Sequence, residues 1–137
     1  MPKLTLLRGL PGAGKSTLAE KLVREGKADH WFEADQYFTS PLTGEYTFSR
    51  EKLGEAHDWC LAQTAAKLGA GKNVVVSNTF TMLWELEKYL DVAKHFGAEL
   101  EVLCLTTQFG SVHGVPPEAV ERMAARWEAF PGEKQYP

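Results

Sequence analysis

A glycine-rich stretch between an apolar run and a helix-forming run constrains the fold of this chain more than any other feature. Residues 4–8, Leu-Thr-Leu-Leu-Arg, have the composition of a short buried strand. Glycines stand at positions 9, 12 and 14, and helix-forming residues follow from Ser16 to Glu25, before Gly26. The pattern predicts a strand, a tight loop and a helix in immediate succession.

The loop matches the pattern G-x-x-x-x-G-K-[ST] over residues 9–16, Gly-Leu-Pro-Gly-Ala-Gly-Lys-Ser. Its glycines let successive backbone N–H groups surround phosphate oxygens, and the following helix points its positive N-terminal end at the same place. Lys15 can reach β- and γ-phosphates, and the Ser16 hydroxyl suits Mg²⁺, a hard cation. The predicted nucleotide-binding residues are Gly9, Pro11, Gly12, Ala13, Gly14, Lys15, Ser16 and Thr17.

Strand and helix signals alternate along the rest of the chain. Strands are predicted at residues 31–34, 73–77 and 100–106, and helices at 49–68, 82–96 and 116–130. The strands lack the polar alternation of a half-exposed sheet. We therefore predict one α/β domain over residues 1–137, a three-layer sandwich with a mostly parallel sheet of about four to five strands.

Composition excludes several classes of protein. The chain has 137 residues, of which 44% are hydrophobic and 24% charged, as in ordinary globular domains. A net charge of −3 argues against a broad electrostatic duplex binder, although a local basic cleft stays open. No apolar run approaches the roughly 20 residues that span a bilayer. The two distant cysteines and the absence of a signal-peptide pattern lead us to expect a cytoplasmic protein with reduced thiols and no membrane partner.

A carboxylate follows the second predicted strand. Ligands of parallel sheets bind at the carboxyl ends of the strands, so Asp35 should face the glycine-rich loop. There it could accept the proton of an attacking hydroxyl, as the base of a small kinase does. Glu33, two residues earlier, is a weaker candidate as a base or outer-sphere Mg²⁺ ligand, and otherwise a solvated or paired carboxylate.

Two absences narrow the choice among phosphate-binding proteins. The chain contains no Asn-Lys-x-Asp sequence, which argues against a guanine-reading GTPase. The third strand ends in Ser77-Asn78-Thr79 without an aspartate, which argues against a motor-type ATPase. We therefore predict a kinase that binds ATP, with Lys15 and Asp35 as catalytic residues.

Four blocks in order, residues 8–17, 34–38, 76–79 and 114–116, resemble the polynucleotide-kinase-like P-loop family. The resemblance covers nearly the whole chain. It implies ATP-dependent phosphorylation of a hydroxyl, often on a nucleic acid. It also implies that Lys15 and Ser16 bind phosphate and Mg²⁺, and that Asp35 is the base.

The chain departs from that family in two places. Asn78 stands where the end-healing kinases have an aspartate, and residues 107–115 contain no lysine or arginine, only His113. Arg122 and Arg126 lie one turn apart on the last predicted helix. We predict that one or both reach the triphosphate, the alternative being an exposed charged helix face.

The sequence indicates the residues that contact the phosphoryl acceptor less clearly than those that bind the nucleotide. Arg8 either touches the acceptor or pairs with Glu33 or Asp35. Aromatic residues around 37–48 either stack on a nucleobase or clamp their loop to the body. The candidate substrate-binding residues are Arg8, Tyr37, Asn78, Thr79 and His113.

Three kinds of activity stay open from the sequence. The acceptor is a 5′-hydroxyl end of DNA or RNA, or a hydroxymethylated pyrimidine in phage-type DNA. A nucleoside, sugar or other small alcohol is the alternative acceptor for the same fold. A nucleotide-binding switch or adaptor without phosphoryl transfer is the alternative from a different class.

Overall fold

The computed structural model describes residues 1–106 and 115–136, and it contains one five-stranded sheet. The sheet order is β2-β3-β1-β4-β5, and every neighbouring pair is parallel. The strands are β1 Lys3–Arg8, β2 His30–Phe32, β3 Val74–Ser77, β4 Glu99–Leu105 and β5 Lys134–Tyr136. The predicted mostly parallel α/β sheet is therefore confirmed.

The helices follow the predicted order, with shorter ends. They are α1 Lys15–Arg24, α2 Leu53–Gly69, α3 Leu83–His95 and α4 Pro117–Ala125, with 3₁₀ turns at Ala34–Phe38 and Arg50–Lys52. The second 3₁₀ turn delays α2 by four residues from the predicted start at 49. The last helix stops five residues before the predicted end at 130, and the chain then turns into β5, which the sequence did not predict.

The core lies on both faces of the sheet because successive residues of a strand point in opposite directions. On one face Leu4 and Leu6 of β1 pack with Leu86 and Tyr89 of α3. On the other face Leu7 packs with buried residues of α1. Layers of helix therefore cover the central strands, and the loops at the carboxyl ends of β1, β2 and β3 meet at one edge. Within residues 1–106 and 115–136, no helix has the length and apolar character needed to cross a membrane.

A buried arginine ties the C-terminal part of the chain to β1. Arg8 is fully buried, and its guanidinium donates to the Phe80 carbonyl and, at 2.7 Å, to the Glu128 carbonyl. It also pairs with Glu133 at 3.1 Å and lies 4.1 Å from the centroid of the Trp127 ring. Such partners are what a buried charge requires. Arg8 thereby anchors residues 127–133, the segment that precedes β5, against the end of β1.

We expect Arg8→Met to lower the free energy of unfolding by about 3–5 kcal/mol, because it leaves the Glu133 carboxylate buried without its cation. Urea denaturation measures this loss. Arg24→Met, which removes an exposed arginine from α1, should cost less than about 1 kcal/mol. Adding Glu133→Gln to Arg8→Met should restore part of the stability. An Arg8→Met protein as stable as Arg24→Met would contradict the structural role of this pair.

Candidate active site

The glycine-rich loop joins β1 to α1, as the sequence predicted. Residues 9–14 form the loop, and Lys15, Ser16 and Thr17 are the first residues of α1. Gly12 and Gly14 have φ of 87° and 89°, in the left-handed region that favours glycine. A Cβ on Gly9 would lie 3.0 Å from the Leu105 carbonyl oxygen, so that position is also restricted. The loop therefore keeps the shape that exposes backbone N–H groups to phosphate.

Lys15 folds back over the loop. Its Nζ donates to the Gly9 carbonyl at 2.8 Å and to the Leu10 carbonyl at 3.1 Å. Burial lowers the pKa of Lys15 to about 8, although the charges of Glu33 and Asp35 oppose that shift. Two carbonyl oxygens therefore hold the Lys15 ammonium, and two carboxylates act on its charge. The negative charge of a bound phosphate would offset the cost of burying this ammonium.

Glu33 joins α1 to the end of β3. Its Oε2 accepts hydrogen bonds from Ser16 Oγ and Ser77 Oγ, both at 2.8 Å. Ser77 Oγ in turn accepts from Trp31 Nε1 at 2.8 Å. Glu33 is therefore a paired carboxylate, and it brings a negative charge to the end of the strand whose own residues lack an acid.

Asp35 lies near the same edge, but three residues past the end of β2 and not directly after the strand as predicted. Strand β2 ends at Phe32, and Asp35 belongs to the 3₁₀ turn Ala34–Phe38. Its Oδ1 accepts a hydrogen bond from the Tyr46 hydroxyl at 3.1 Å. Because its charge acts on Lys15 and on His57, Asp35 lies within electrostatic reach of both the loop and α2. Lys15, after β1, and Asp35, after β2, therefore both follow the carboxyl ends of parallel strands.

Asn78 holds the 3₁₀ turn that carries Asp35. The Asn78 side chain is buried, its Oδ1 accepts from the Ala34 N–H at 2.9 Å, and its Nδ2 contacts Cys60 Sγ at 3.8 Å. Asn78 therefore holds the start of this turn, and its contact with substrate stays a prediction. Its neighbour Thr79 accepts a hydrogen bond at its carbonyl from the Gly9 N–H at 3.3 Å, which places it beside the loop.

The aromatic residues after Asp35 pack mainly on one another. Phe38 is buried, and its ring contacts the rings of Tyr37, Tyr46 and Phe48. Tyr37 is partly exposed, and its hydroxyl donates to Glu55 of α2 at 2.9 Å. These contacts favour the predicted alternative in which the aromatic residues clamp the loop to the body.

The predicted arginine and histidine contacts have different outcomes. Arg8 is buried and pairs with Glu133, so neither the predicted contact with the acceptor nor the pairing with Glu33 or Asp35 describes it. Arg126 Nε donates to Thr81 Oγ1 at 3.2 Å, beside the start of α3. Arg122 is exposed on α4. Contact of either residue with the triphosphate stays a prediction, and His113 lies outside the described residues.

The oxygen atoms at the loop suit a magnesium ion. Ser16 Oγ and the Glu33 carboxylate are hard donors 2.8 Å apart, the kind that Mg²⁺ prefers. Among residues 1–106 and 115–136, no group of three or more His, Cys, Asp or Glu side chains could hold a metal by itself. The donor set therefore fits an ion that is bound jointly with nucleotide phosphates.

Sequence reasoning missed two features of this site. Tyr46 appeared only among aromatic residues of the loop, with no link to Asp35, and the bridging position of Glu33 was not foreseen. Gly44, a turn residue two positions before Tyr46, was the available signal that the chain folds back there. The partners of Glu33, Ser16 and Ser77, belong to separate elements, so no local sequence pattern predicts these hydrogen bonds.

Comparison with known proteins identifies the family. A family model described as an AAA domain matches residues 4–129. This chain belongs to that AAA-domain family. It is 31% identical over 139 aligned residues to NEDD4-binding protein 2 of Homo sapiens, covering 93% of this chain and 8% of that protein. It is 29% identical to uncharacterized protein PM0531 of Pasteurella multocida (strain Pm70), covering 90% of this chain and 75% of that protein.

Solved structures similar to this AAA-domain protein share a P-loop kinase-like fold. A chain of the Pnkp1/Rnl/Hen1 complex is 23% identical with a TM-score of 0.62, over 88% of this chain and 38% of that one. A sugar kinase from Janibacter sp. HTCC2649 is 16% identical with a TM-score of 0.66, over 99% and 84%. The APS kinase CysC of Mycobacterium tuberculosis is 21% identical with a TM-score of 0.55, over 88% and 67%. These likenesses confirm the predicted fold.

The lowered pKa of Lys15 predicts how stability depends on pH. Between about 8, its value in the folded chain, and 10.5, its ordinary value, the unfolded chain binds more protons. The stability of the wild type relative to Lys15→Met should therefore rise across that interval. Urea denaturation at several pH values measures it. Lys21→Met, which removes an exposed lysine from the same helix, is the control. If the stability of the wild type relative to Lys15→Met stays flat or falls over this interval, the lowered pKa of Lys15 is contradicted.

Proposed function

We propose that this protein is a kinase that transfers the γ-phosphoryl group of ATP to a hydroxyl group on a nucleic acid. The observation that supports this most is the arrangement of Lys15 and Asp35 at one edge of the sheet. The glycine-rich loop lies on one side of that edge, and a carboxylate suited to a general base lies on the other. A nucleotide-binding switch would have no need of such a base.

The proposed reaction is an in-line displacement. The acceptor oxygen attacks the γ-phosphorus, the bond from that phosphorus to the β–γ bridging oxygen breaks, and ADP leaves. Asp35 takes the proton of the acceptor hydroxyl. Lys15 exchanges its carbonyl partners for phosphate oxygens and offsets the charge on the transferred group, while the loop N–H groups hold the remaining phosphates.

Magnesium would be held by the Ser16 hydroxyl and the nucleotide phosphates, with Glu33 beside it. When bound, the ion supplies positive charge to the β- and γ-phosphate oxygens. Glu33 orients Ser16 and supplies the negative charge that other P-loop proteins place on the third strand. We therefore propose Glu33, rather than a residue of β3, as the acid of the magnesium site.

The nucleic-acid acceptor is supported by motif resemblance and by similarity in fold to a chain of the Pnkp1/Rnl/Hen1 complex. The proposed acceptors are a 5′-hydroxyl end and a hydroxymethylated pyrimidine. A small-molecule acceptor is the second candidate, supported by similarity in fold to a sugar kinase and to a gluconokinase from Sinorhizobium meliloti 1021. We place the activity in a single domain over residues 1–137 and in the cytoplasm.

We expect Asp35→Asn to reduce phosphoryl transfer by about 10²–10⁴-fold, because the acceptor hydroxyl loses its base. The assay offers labelled ATP to 5′-hydroxyl single strands, duplex DNA, RNA, DNA with hydroxymethyl pyrimidines, nucleosides and sugars. Asp91→Asn, an exposed aspartate on α3, is the matched control. Labelling of small molecules alone would contradict the nucleic-acid acceptor. Nucleotide binding without labelling of any acceptor would contradict the kinase proposal.

The proposed role of Glu33 predicts a specific change in metal dependence. Glu33→Gln keeps a hydrogen-bond acceptor for Ser16 but removes the charge. We expect the Mg²⁺-dependent gain in ADP affinity, measured by titration calorimetry with and without Mg²⁺, to fall by about 10-fold or more. Affinity without Mg²⁺ should change little. Glu20→Gln, on the exposed side of α1, is the control, and equal behaviour of the two variants would exclude Glu33 from the magnesium site.

A further inference from the structure

The chain folds back on itself directly after Asp35. Thr39 and Tyr46 form an antiparallel bridge, and the Ser40 N–H donates to the Glu45 carbonyl at 2.8 Å. The Thr47 N–H donates to the Phe38 carbonyl at 2.9 Å. Gly44 takes a φ of +73° in the turn between them. We call residues 39–47 the return loop, and its geometry brings position 46 back to the 3₁₀ turn.

Packing and hydrogen bonding fix Tyr46 against Asp35. The Tyr46 ring packs against the buried cluster of Ala34, Phe38 and Ala56, and its centroid lies 6.5 Å from that of Phe38. Its hydroxyl donates to Asp35 Oδ1 at 3.1 Å. Burial, reinforced by the negative charge of Asp35, raises the pKa of Tyr46 to about 12, so the phenol keeps its proton at neutral pH.

The backbone and the side chain of Asp35 have different anchors. Asn78 holds the backbone at the preceding residue, through the Ala34 N–H. The terminal torsion of an aspartate has a broad energy profile, so a fixed backbone alone does not fix the direction of the carboxylate oxygens. A base must lie within hydrogen-bond reach of the proton it removes, and it loses efficiency when it rotates away.

We propose that Tyr46 is a positioning residue whose hydroxyl orients the Asp35 carboxylate toward the acceptor hydroxyl. This inference rests on the proposed function, in which Asp35 accepts the proton. The return loop supplies a hydrogen bond to this carboxylate, from the Tyr46 hydroxyl to Asp35 Oδ1 at 3.1 Å.

A spectroscopic experiment tests the coupling without any assay of activity. Difluorotyrosine replaces Tyr46, because its more acidic phenol titrates at a pH where the fold survives, and ¹⁹F NMR follows its ionisation. The negative charges of Asp35 and Glu33 act on the Tyr46 phenol, and the charge of Asp35 also acts on Lys15 and His57. Asp35→Asn should lower the titration midpoint by about one pH unit, because a neighbouring negative charge is removed. An unchanged or higher midpoint would overturn the proposal.

A kinetic experiment tests the consequence for transfer. Tyr46→Phe should lower kcat by about 10-fold or more, as expected for loss of a hydrogen bond to a charged group, with little change in KM for ATP. In the Asp35→Asn background, Tyr46→Phe should cause no further loss, because it acts through Asp35. Tyr136→Phe, on the exposed strand β5, makes the same chemical change away from the site and should leave kcat unaltered. Thermal unfolding verifies that each variant is folded.

The two proposals fail in different ways. If Asp35→Asn is as active as the wild type, the proposed function is wrong and Tyr46 has no base to orient. If Asp35→Asn is inactive while Tyr46→Phe matches Tyr136→Phe, the base is retained and the inference about Tyr46 is overturned. An additive loss in the double variant, or a rise in KM for ATP at unchanged kcat, would also overturn it.

Discussion

The candidate site depends on one shared carboxylate oxygen. Glu33 Oε2 accepts from Ser16 at the start of α1 and from Ser77 at the end of β3, both at 2.8 Å. The two serines belong to elements that pack on one another but are far apart in sequence. A charge-assisted bond to each is stronger than a neutral one. The bridge joins the start of α1 and the end of β3 to the residue that precedes the 3₁₀ turn carrying Asp35.

The elements around the bridge act as supports for it. Asn78 fixes the backbone next to Asp35, and Tyr46 fixes the Asp35 side chain. On the opposite side of the loop, Arg8 ends β1 in a buried set of partners that includes Glu133. The glycine-rich loop is therefore short and restrained at both ends. The turn that carries Asp35 is joined to it through Glu33 and is also held by Asn78.

Local patterns explain which parts of this site could be predicted. The spacing of Gly9, Gly14, Lys15 and Ser16 is local and predicts a loop whose successive N–H groups converge on phosphate. Strand β5 could not be predicted, since its three exposed residues carry no apolar alternation and it forms only beside β4. The partners of Arg8 could not be predicted for a similar reason, since Glu128 and Glu133 lie more than a hundred residues away.

Local sequence patterns are enough to predict the parallel α/β fold, the phosphate-binding loop and an acid after the second strand, because each depends on neighbouring residues. Only the folded chain shows Asp35 on a 3₁₀ turn, Glu33 bonded to both Ser16 and Ser77, and Tyr46 in contact with Asp35. Those outcomes depend on side chains from separate elements meeting at one edge of the sheet. Hydrogen bonds between residues distant in the chain leave no periodic pattern that a sequence can display.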